Sequence, residues 1–161
     1  MLFIIDGHNL FFYLEKRNFF EAASFTKKFD EFIHYFLDLS NNTKHKYTLV
    51  LDGQREDHYQ KQHKAELVLV YAQKNQTADK CIFNILEEEN PDATIVSNDR
   101  EVAEKAKRRF GKAVYSCQKF MNFIEKINQA PVKETNTDYS KHYLFNYYLN
   151  QFSQDKADDD Y

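Results

Sequence analysis

The chain has few cysteines, glycines and prolines, and it has no long apolar run. Its two cysteines, Cys81 and Cys117, lie in apolar helical patterns without a CxxC pair, which argues against a disulfide framework or a zinc site. With 3 glycines and 2 prolines, the loops should be short. The apolar start from Met1 to Ile5 stops at Asp6, too early for a signal peptide, and no run reaches membrane-spanning length. We therefore expect a soluble, cytoplasmic protein without a membrane partner.

Several signatures of phosphate chemistry are also missing. Neither a GxxxxGK[ST] loop nor a GxGxxG fingerprint occurs, which argues against P-loop and dinucleotide-binding enzymes. A haloacid-dehalogenase-type phosphatase would need a second Asp two residues after Asp6, where His8 stands, and a receiver domain would need adjacent acidic residues there. The formal charge of -3 gives no basic signature, so nucleic acid is not predicted from net charge.

The residues that are present indicate one folded domain with an aromatic-rich core, because 42% of the 161 residues are hydrophobic and 16% are aromatic. Short apolar runs alternate with stretches in which apolar residues recur every three or four positions. The short runs are typical of buried strands and lie at residues 2–5, 47–51, 67–71, 93–96 and 113–115. The alternation predicts an α/β fold with a mostly parallel central sheet and helices on both faces.

In two stretches the apolar residues show no clear periodic spacing. Phe11 to Phe20 is expected to form a short helix or a turn-rich link, and Gln54 to Ala65 a loop or an exposed turn of helix. Gly111 stands where a left-handed residue is wanted at the end of a helix, and Ser116 is expected to cap the next helix.

The composition changes beyond Pro131. A polar link is followed by an aromatic segment at 139–152 and by an acidic end. We therefore predict a core domain at residues 1–130 and a C-terminal extension at 131–161 that carries an aromatic helix. That helix either docks on the domain or, as the alternative, binds another chain.

Four aspartates stand at the predicted strand ends or in the first turn of the helix that follows one: Asp6, Asp52, Asp79 and Asp99. Each alone has a structural explanation, because Asp before Gly serves turns, and Asp at a helix start caps the helix or suits its dipole. In a parallel sheet, however, these ends lie along one edge. The four carboxylates would converge there and repel one another unless cations neutralise them.

Such a cluster predicts a site for divalent cations. Aspartates around Mg²⁺ or Mn²⁺ are a recurring device for phosphodiester hydrolysis, in which the ions activate a water and stabilise the leaving oxygen. Asn9 and Asn98 are candidates to orient a ligand, a water or a phosphate, although Asn is also common in turns. His8 could touch a phosphate, but a single histidine beside a turn is more often incidental, and we leave it out of the catalytic set.

Four motifs occur in order along the chain: Ile4-Ile5-Asp6-Gly7-His8-Asn9-Leu10, Val50-Leu51-Asp52-Gly53, the segment from Val70 to Ile82 that contains Asp79, and Val96-Ser97-Asn98-Asp99-Arg100-Glu101. With these motifs, the chain from Met1 to about Ile127 resembles the YacP-like branch of the NYN domains, which belong to the PIN-like nuclease superfamily. The segment after Pro131 has no counterpart among the motifs.

The resemblance implies a PIN-like three-layer α/β/α fold and a metal-dependent ribonuclease. It also implies an acidic site at the positions of Asp6, Asp52, Asp79 and Asp99, with Asn9 beside them as a catalytic-site residue. Glu101 occupies the place, two residues after the last motif Asp, where many relatives carry a further acidic residue, and we include it among the predicted metal ligands. His8 stands where the family often has Tyr.

Basic residues near the acidic site are the predicted RNA contacts. A basic flap after Asp52, in the stretch 54–65, would meet an RNA backbone. The basic cluster at 105–112 has two interpretations of about equal weight, namely phosphate contact or a solvated helix face whose cations suit its C-terminus. The predicted RNA-binding residues are Asn98, Arg55, Lys61, Lys64, Arg100, Arg108 and Arg109.

The sequence as a whole predicts a metal-dependent ribonuclease, an endonuclease that uses Mg²⁺ or Mn²⁺. Its core metal ligands are Asp6, Asp79 and Asp99, with Asp52 in support. The partner is RNA, with mRNA, rRNA and tRNA all open, either free or presented by a ribosome. The alternatives are a catalytically silent RNA- or ribosome-binding module of the same fold and a protein-interaction domain that uses the aromatic C-terminal segment. The cleavage specificity, the number of metal ions and the oligomeric state are left open.

Overall fold

The computed structural model of the protein describes residues 1–53, 60–64, 66–73 and 75–128. Strands and helices alternate along most of this range. In chain order they are β1 (Leu2–Asp6), α1 (Gly7–Glu15), α2 (Phe25–Asn42), β2 (Lys46–Leu51), β3 (Gln60–Lys64), β4 (Leu67–Tyr71), α3 (Ala78–Glu88), β5 (Ala93–Val96), α4 (Arg100–Phe110), β6 (Ala113–Tyr115) and α5 (Cys117–Asn128). The predicted α/β class is confirmed.

The strands form one sheet in the order β3-β4-β2-β1-β5-β6. Five of them run parallel, and only the edge strand β3 runs antiparallel, to β4. The central strand β1 pairs Asp6 with Val50 of β2 and Ile5 with Val96 of β5. The C-terminal ends of β1, β2 and β5 therefore lie side by side at one edge of the sheet.

Strand β3 corrects the expectation that Gln54 to Ala65 contains only a loop or a helical turn. Residues 60–64 pair with β4 in an antiparallel ladder, from Gln60 opposite Tyr71 to Lys64 opposite Leu67. An edge strand is held by backbone hydrogen bonds along one side and needs no buried face, so it leaves no apolar period in the sequence, and lysines are common there. Residues 54–59 and 65 lie outside the described residues.

Helix α1 starts earlier than expected, at Gly7 directly after β1, and ends at Glu15, halfway along the stretch from Phe11 to Phe20 that was predicted as a short helix or a turn-rich link. The carboxylate of Asp6 caps it by accepting a hydrogen bond from the backbone N–H of Asn9 (3.2 Å). An aspartate at the N-cap is a common way to satisfy the free backbone N–H groups of a first helical turn. The motif around Asp6 thus contains a strand end, a cap and the first turn of a helix.

Helices cover both faces of the sheet. Since neighbouring residues of a strand point to opposite faces, Ile4 packs with α3 and α4 in one core, and Phe3 packs in the other. The second core is rich in aromatic rings: Phe3 stacks on Tyr47 and meets Phe120 of α5 edge-on, while Phe36 of α2 contacts both of these partners. All four rings are fully buried, which contributes about 1.5–3 kcal/mol for each Phe.

Other local expectations are confirmed. Gly111 ends α4 with a φ of 62°, in the left-handed region that glycine adopts without strain. The side chain of Ser116 accepts a hydrogen bond from the backbone of Lys119 at the start of α5 (3.1 Å).

None of the helices in the described residues is long and apolar enough to span a membrane.

The C-terminal extension predicted at 131–161 lies outside the described residues. Its aromatic helix and the domain boundary at residue 130 therefore stay predictions.

Gly7 allows α1 to approach β2 closely, because a Cβ atom there would lie 2.4 Å from Cδ2 of the buried Leu51 and 2.9 Å from the carbonyl oxygen of Val50. The carbonyl belongs to a paired strand and has little room to move. We expect Gly7→Ala to lower the free energy of unfolding by about 1–3 kcal/mol, as overpacking usually does. Urea denaturation measures this change.

Gly111→Ala is the matched control, since a Cβ atom there would meet nothing within 4 Å and the cost is only that of a left-handed backbone. That cost is about 1–2 kcal/mol. A Gly7→Ala protein as stable as wild type would contradict the close approach.

Candidate active site

The structure brings the four predicted aspartates to the C-terminal edge of the sheet. Asp6 is the last residue of β1 and the N-cap of α1, and Asp52 directly follows β2. Asp99 follows β5 and caps α4, where its Oδ1 accepts from the backbone of Glu101 at 2.8 Å. Asp79 lies in the first turn of α3. The parallel topology thus gathers residues from four separate motifs.

Three of these aspartates line one pocket of about 320 Å³. Asp6, Asp52 and Asp79 share its wall with the side chains or backbone of His8, Asn9, Phe12, Thr77 and Ala78. Asp99 and Glu101 are not among the residues that line this pocket, but the charge of each raises the pKa of Asp79, which does line it.

Asp6 forms the buried part of the site, with only 6% of its surface exposed. Its Oδ1 accepts from the backbone of Asn9, and its Oδ2 accepts from the hydroxyl of Ser97 at 3.3 Å. Burial is the main reason that the pKa of Asp6 is raised to about 6; the charges of Asp79 and Asp52 also raise it, whereas the hydrogen bonds from Asn9 and Ser97 lower it. The carboxylate is therefore held in one orientation and is poorly compensated when ionised.

Asp52 is more exposed, with 56% of its side chain open to solvent. Its Oδ1 accepts from the backbone N–H of Ala78 at 2.8 Å, in the first turn of α3. This bond ties the end of β2 to the start of α3, and the positive end of the helix dipole favours the negative charge. Asp52 thus has a clear structural role as well as its place in the pocket.

Asp79 is the electrostatic centre of the group. Burial raises its pKa, and so do the charges of Asp99, Asp52 and Glu101, in that order. Because Asp79 in turn raises the pKa of Asp6, all five predicted carboxylates belong to one coupled set. Ionisation of one member raises the free energy of ionising the next, so the set favours a bound cation.

Asn9 and Asn98 take structural roles that the sequence did not predict. The Oδ1 of Asn9 accepts from the backbone N–H of Asn98 at 2.8 Å, and the Oδ1 of Asn98 accepts from the backbone of Cys117 at 2.8 Å. The thiol of Cys117 also donates to Asn9, and burial raises its pKa to about 12, so it stays neutral. These bonds join α1, the loop after β5 and the start of α5 around the site.

Ser97 and His8 are site residues that sequence reasoning missed or set aside. Ser97 is buried, and its hydroxyl both donates to Asp6 and accepts from the backbone of Asp99 at 3.0 Å, which links two carboxylate positions. Its place between a strand end and a helix-capping Asp was the available signal. His8, outside the predicted set, lines the pocket.

The ring of His8 is neutral in this arrangement. Its Nδ1 accepts from the backbone N–H of Asp52 at 3.1 Å, so the ring proton must lie on Nε2. Nδ1 also lies 3.9 Å from Oδ2 of Asp52, but burial lowers the pKa of His8 against the pull of that carboxylate. The hydrogen bond fixes the protonation of the ring, because a nitrogen that accepts a hydrogen bond cannot carry a proton as well.

The donor set suits a hard divalent cation. Among the described residues, no three His, Cys, Asp or Glu side chains form a group that could hold an ion as they stand. Mg²⁺, however, usually keeps several waters and binds through one or two carboxylates together with substrate phosphates. The coupled carboxylates supply oxygen ligands and a negative field of that kind, so the residues fit such a cation.

The predicted RNA contacts are spread over different parts of the structure. Arg100 begins α4 beside Asp99, with 91% of its side chain exposed, and pairs with Glu104 at 3.1 Å. Arg108 and Arg109 lie in the last turn of α4, roughly 14 Å along the helix from Asp99. Arg109 pairs there with Glu87, which favours the solvated-face interpretation of that end.

The other predicted contacts fall on or beside β3. The backbone of Lys61 and Lys64 lies on that edge strand, opposite Val70 and Leu67 of β4. Arg55 lies outside the described residues. Asn98 is exposed at the loop after β5.

The chain matches known proteins in sequence and in structure. The family model described as YacP-like NYN domain matches residues 3–159, and thus extends beyond the motifs into the segment after Pro131. The crystal structure of Rae1 (YacP) from Bacillus subtilis is similar with a TM-score of 0.61 and 16% identity, and the match covers 97% of this chain and 83% of that chain. The structure of a tryptophan-to-leucine mutant of the same protein gives a TM-score of 0.62 and 17% identity, over 80% of this chain and 77% of that chain.

These structural likenesses show a shared fold, that of the NYN and PIN-like domains, and confirm the predicted fold class. No curated protein matches the sequence.

The raised pKa of Asp6 predicts how stability depends on pH. Between about pH 4 and 6, the folded protein binds more protons at Asp6 than the unfolded chain, so its stabilising contribution is present at low pH and is lost as pH rises through 6. In EDTA at pH 7, we expect Asp6→Asn to raise the free energy of unfolding by roughly 1–3 kcal/mol, and the gain should vanish near pH 4. Urea denaturation across this pH range measures it.

A variant that is less stable than wild type at pH 7 would contradict this account. It would mean that the ionised carboxylate is worth more as the cap of α1 than its burial costs.

Proposed function

The chain belongs to the YacP-like NYN domain family, whose fold is that of the PIN-like nucleases, and from this premise we propose that it is a metal-dependent endoribonuclease. It hydrolyses phosphodiester bonds of RNA at the acidic edge of the sheet, with Mg²⁺ or Mn²⁺. The observation that carries the proposal is the position of Asp6, Asp52, Asp79 and Asp99 at one edge of the sheet, with the first three in one pocket. Burial raises the pKa of Asp79, and so do the charges of Asp99, Asp52 and Glu101, so the set favours a bound cation that neutralises it.

Asp6, Asp79 and Asp99 are the proposed core ligands, and Asp52 and Glu101 complete the set. When bound, a divalent cation supplies Lewis-acid chemistry that makes water a stronger nucleophile at neutral pH and neutralises negative charge on the phosphate. Asp6 is the most firmly held of the five, through Asn9 and Ser97. Asp52 and Asp99 each commit one oxygen to a helix start, which leaves the second oxygen for a ligand.

The other pocket residues orient and bind. His8 presents a neutral ring with its proton on Nε2, so it serves as a hydrogen-bond donor to a phosphate rather than as a general base. Asn9 fixes the loop of Asn98 through its carbonyl oxygen and lines the pocket. Asn9 is therefore a positioning residue of the site. Solvent and the carboxylates act as the acids and bases.

RNA binding by an acidic chain requires local positive charge. Arg100 and Asn98 lie exposed beside Asp99 and are proposed to contact phosphates there. Arg55, Lys61 and Lys64 are further proposed RNA contacts. Arg108 and Arg109 are the least favoured, because they lie at the far end of α4.

A second candidate function is a catalytically silent module that binds RNA or a ribosome. The observation in its favour is that the described residues contain no ready-made group of three ligands. It differs from the first in one measurable respect, because RNA would be bound but not cut when Mg²⁺ or Mn²⁺ is added.

Asp79→Asn and Asp99→Asn test the ribonuclease directly. Each removes one charge from the coupled set while it keeps the shape of the side chain. We expect each to reduce metal-dependent cleavage of a panel of RNAs by roughly 100-fold or more. Denaturing gels with internally and terminally labelled RNA measure the rate and show whether cuts are internal.

Asp92→Asn is the matched control, since Asp92 is an exposed aspartate just before β5, at the opposite edge of the sheet. It should cleave at the wild-type rate. The proposal would be contradicted if Asp79→Asn and Asp99→Asn cleaved RNA at the wild-type rate. Cleavage that persists in EDTA would also contradict it. Tight RNA binding by the wild type without cleavage would favour the silent module.

A further inference from the structure

Two phenylalanines are exposed beside the acidic pocket. Phe12 is 44% exposed and Phe25 is 52% exposed, and their ring centroids lie 6.4 Å apart. We refer to this pair as the aromatic platform. Exposed phenylalanine is costly in water, and a neighbouring pair at a functional pocket commonly marks a binding surface.

The aromatic platform is firmly supported from below. Both rings contact Phe11, which is fully buried, at centroid distances of 5.4 and 5.3 Å. Phe25 also stacks on Phe29, at 6.2 Å with an interplanar angle of 14°. Phenylalanine has two side-chain torsions, so rings held in this way lose little entropy when a flat ligand stacks on them.

The platform is continuous with the site. Phe12 lines the same pocket as Asp6, Asp52 and Asp79. It lies four residues after His8 on α1, which places both side chains on one face of the helix, with their rings 6.2 Å apart. One pocket is therefore lined both by carboxylates that can hold cations and by an aromatic ring.

We propose that the aromatic platform stacks the bases of single-stranded RNA next to the phosphate that is cut. This inference rests on the proposed function. A nucleotide has an anionic part and a flat aromatic part, and the pocket supplies a matching partner for each. Bases of a duplex are already stacked on one another, so only an unpaired base can present its face to Phe12.

The chemistry of stacking also sets the specificity. Every base has a π-face, so stacking on phenylalanine discriminates little between sequences. The platform therefore selects unpaired RNA over duplex RNA and contributes little base preference of its own. Phe12, as the pocket residue, takes the base nearer the phosphate, and Phe25 takes a base farther out.

The test measures binding apart from cleavage. All proteins carry Asp79→Asn so that a short, fluorescently labelled single-stranded oligoribonucleotide stays intact, and its affinity is measured by anisotropy in Mg²⁺. Adding Phe12→Leu keeps an apolar side chain but removes the ring, and we expect affinity to fall roughly 5- to 100-fold. Phe25→Leu should reduce it by less. Phe12→Trp, which restores an aromatic face, should stay within about twofold of the parent.

Phe19→Leu is the matched control. Phe19 is also exposed, at 41%, but it lies beyond the C-terminal end of α1, whereas the pocket is at the N-terminal end. It should leave RNA affinity unchanged. An abasic nucleotide moved along the RNA should weaken binding at one position for the parent protein, and Phe12→Leu should abolish that position's effect.

The outcomes separate this inference from the ribonuclease proposal. If wild type cuts RNA while Phe12→Leu and Phe25→Leu bind like Phe19→Leu, the platform is not a base-stacking site, and its exposed rings belong to another partner such as a protein. The same loss of affinity for duplex RNA would also overturn the inference. If Phe12→Leu lowers affinity but wild type does not cut, the stacking site stands and the ribonuclease fails. Absence of any RNA binding by the parent overturns both.

Discussion

The carboxylates at the C-terminal edge of the sheet repel one another, and this end of the molecule is arranged around that repulsion. Three helix starts partly offset it. Asp6 caps α1, Asp99 caps α4, and Asp52 accepts from the first turn of α3. Helix starts offer free backbone N–H groups and a positive dipole end, so they stabilise negative charge without a basic side chain. The pKa values of Asp6 and Asp79 are nevertheless raised, by burial first and by the neighbouring carboxylates second.

The same hydrogen bonds let these aspartates have a structural role, as helix caps or tethers, and also a role in the proposed site. Asp52 and Asp99 each cap or tether a helix start with one oxygen, as a turn or cap residue would, and both add negative charge near Asp79. Asp6 differs, because it is buried and both of its oxygens accept hydrogen bonds.

Much of this arrangement could be predicted from the sequence, because parallel strands leave short apolar runs and their exits must share an edge. That logic located the five parallel strands and the convergence of Asp6, Asp52, Asp79 and Asp99. It failed for β3, which pairs with β4 as an edge strand and leaves no apolar period in the sequence.

Long-range polar contacts were beyond sequence reasoning for a related reason. The bond from Asn98 to Asn9 and the bond from Cys117 to Asn98 span 89 and 19 residues, and no spacing rule encodes them. Likewise, an apolar residue at helical spacing is normally predicted to be part of the core. The exposure of Phe12 at the pocket follows only from how α1 packs against α2.

The central claim is that the coupled carboxylates exist to bind a divalent cation, and proton release on Mn²⁺ binding tests it most directly. Calorimetry in two buffers of different ionisation enthalpy gives the number of protons released. Because the pKa of Asp6 is raised to about 6, roughly half of the molecules carry a proton there at pH 6. We predict release at pH 6 that falls toward zero by pH 8 and is lost in Asp6→Asn. No Mn²⁺ binding, or binding at pH 6 without proton release, would contradict the account.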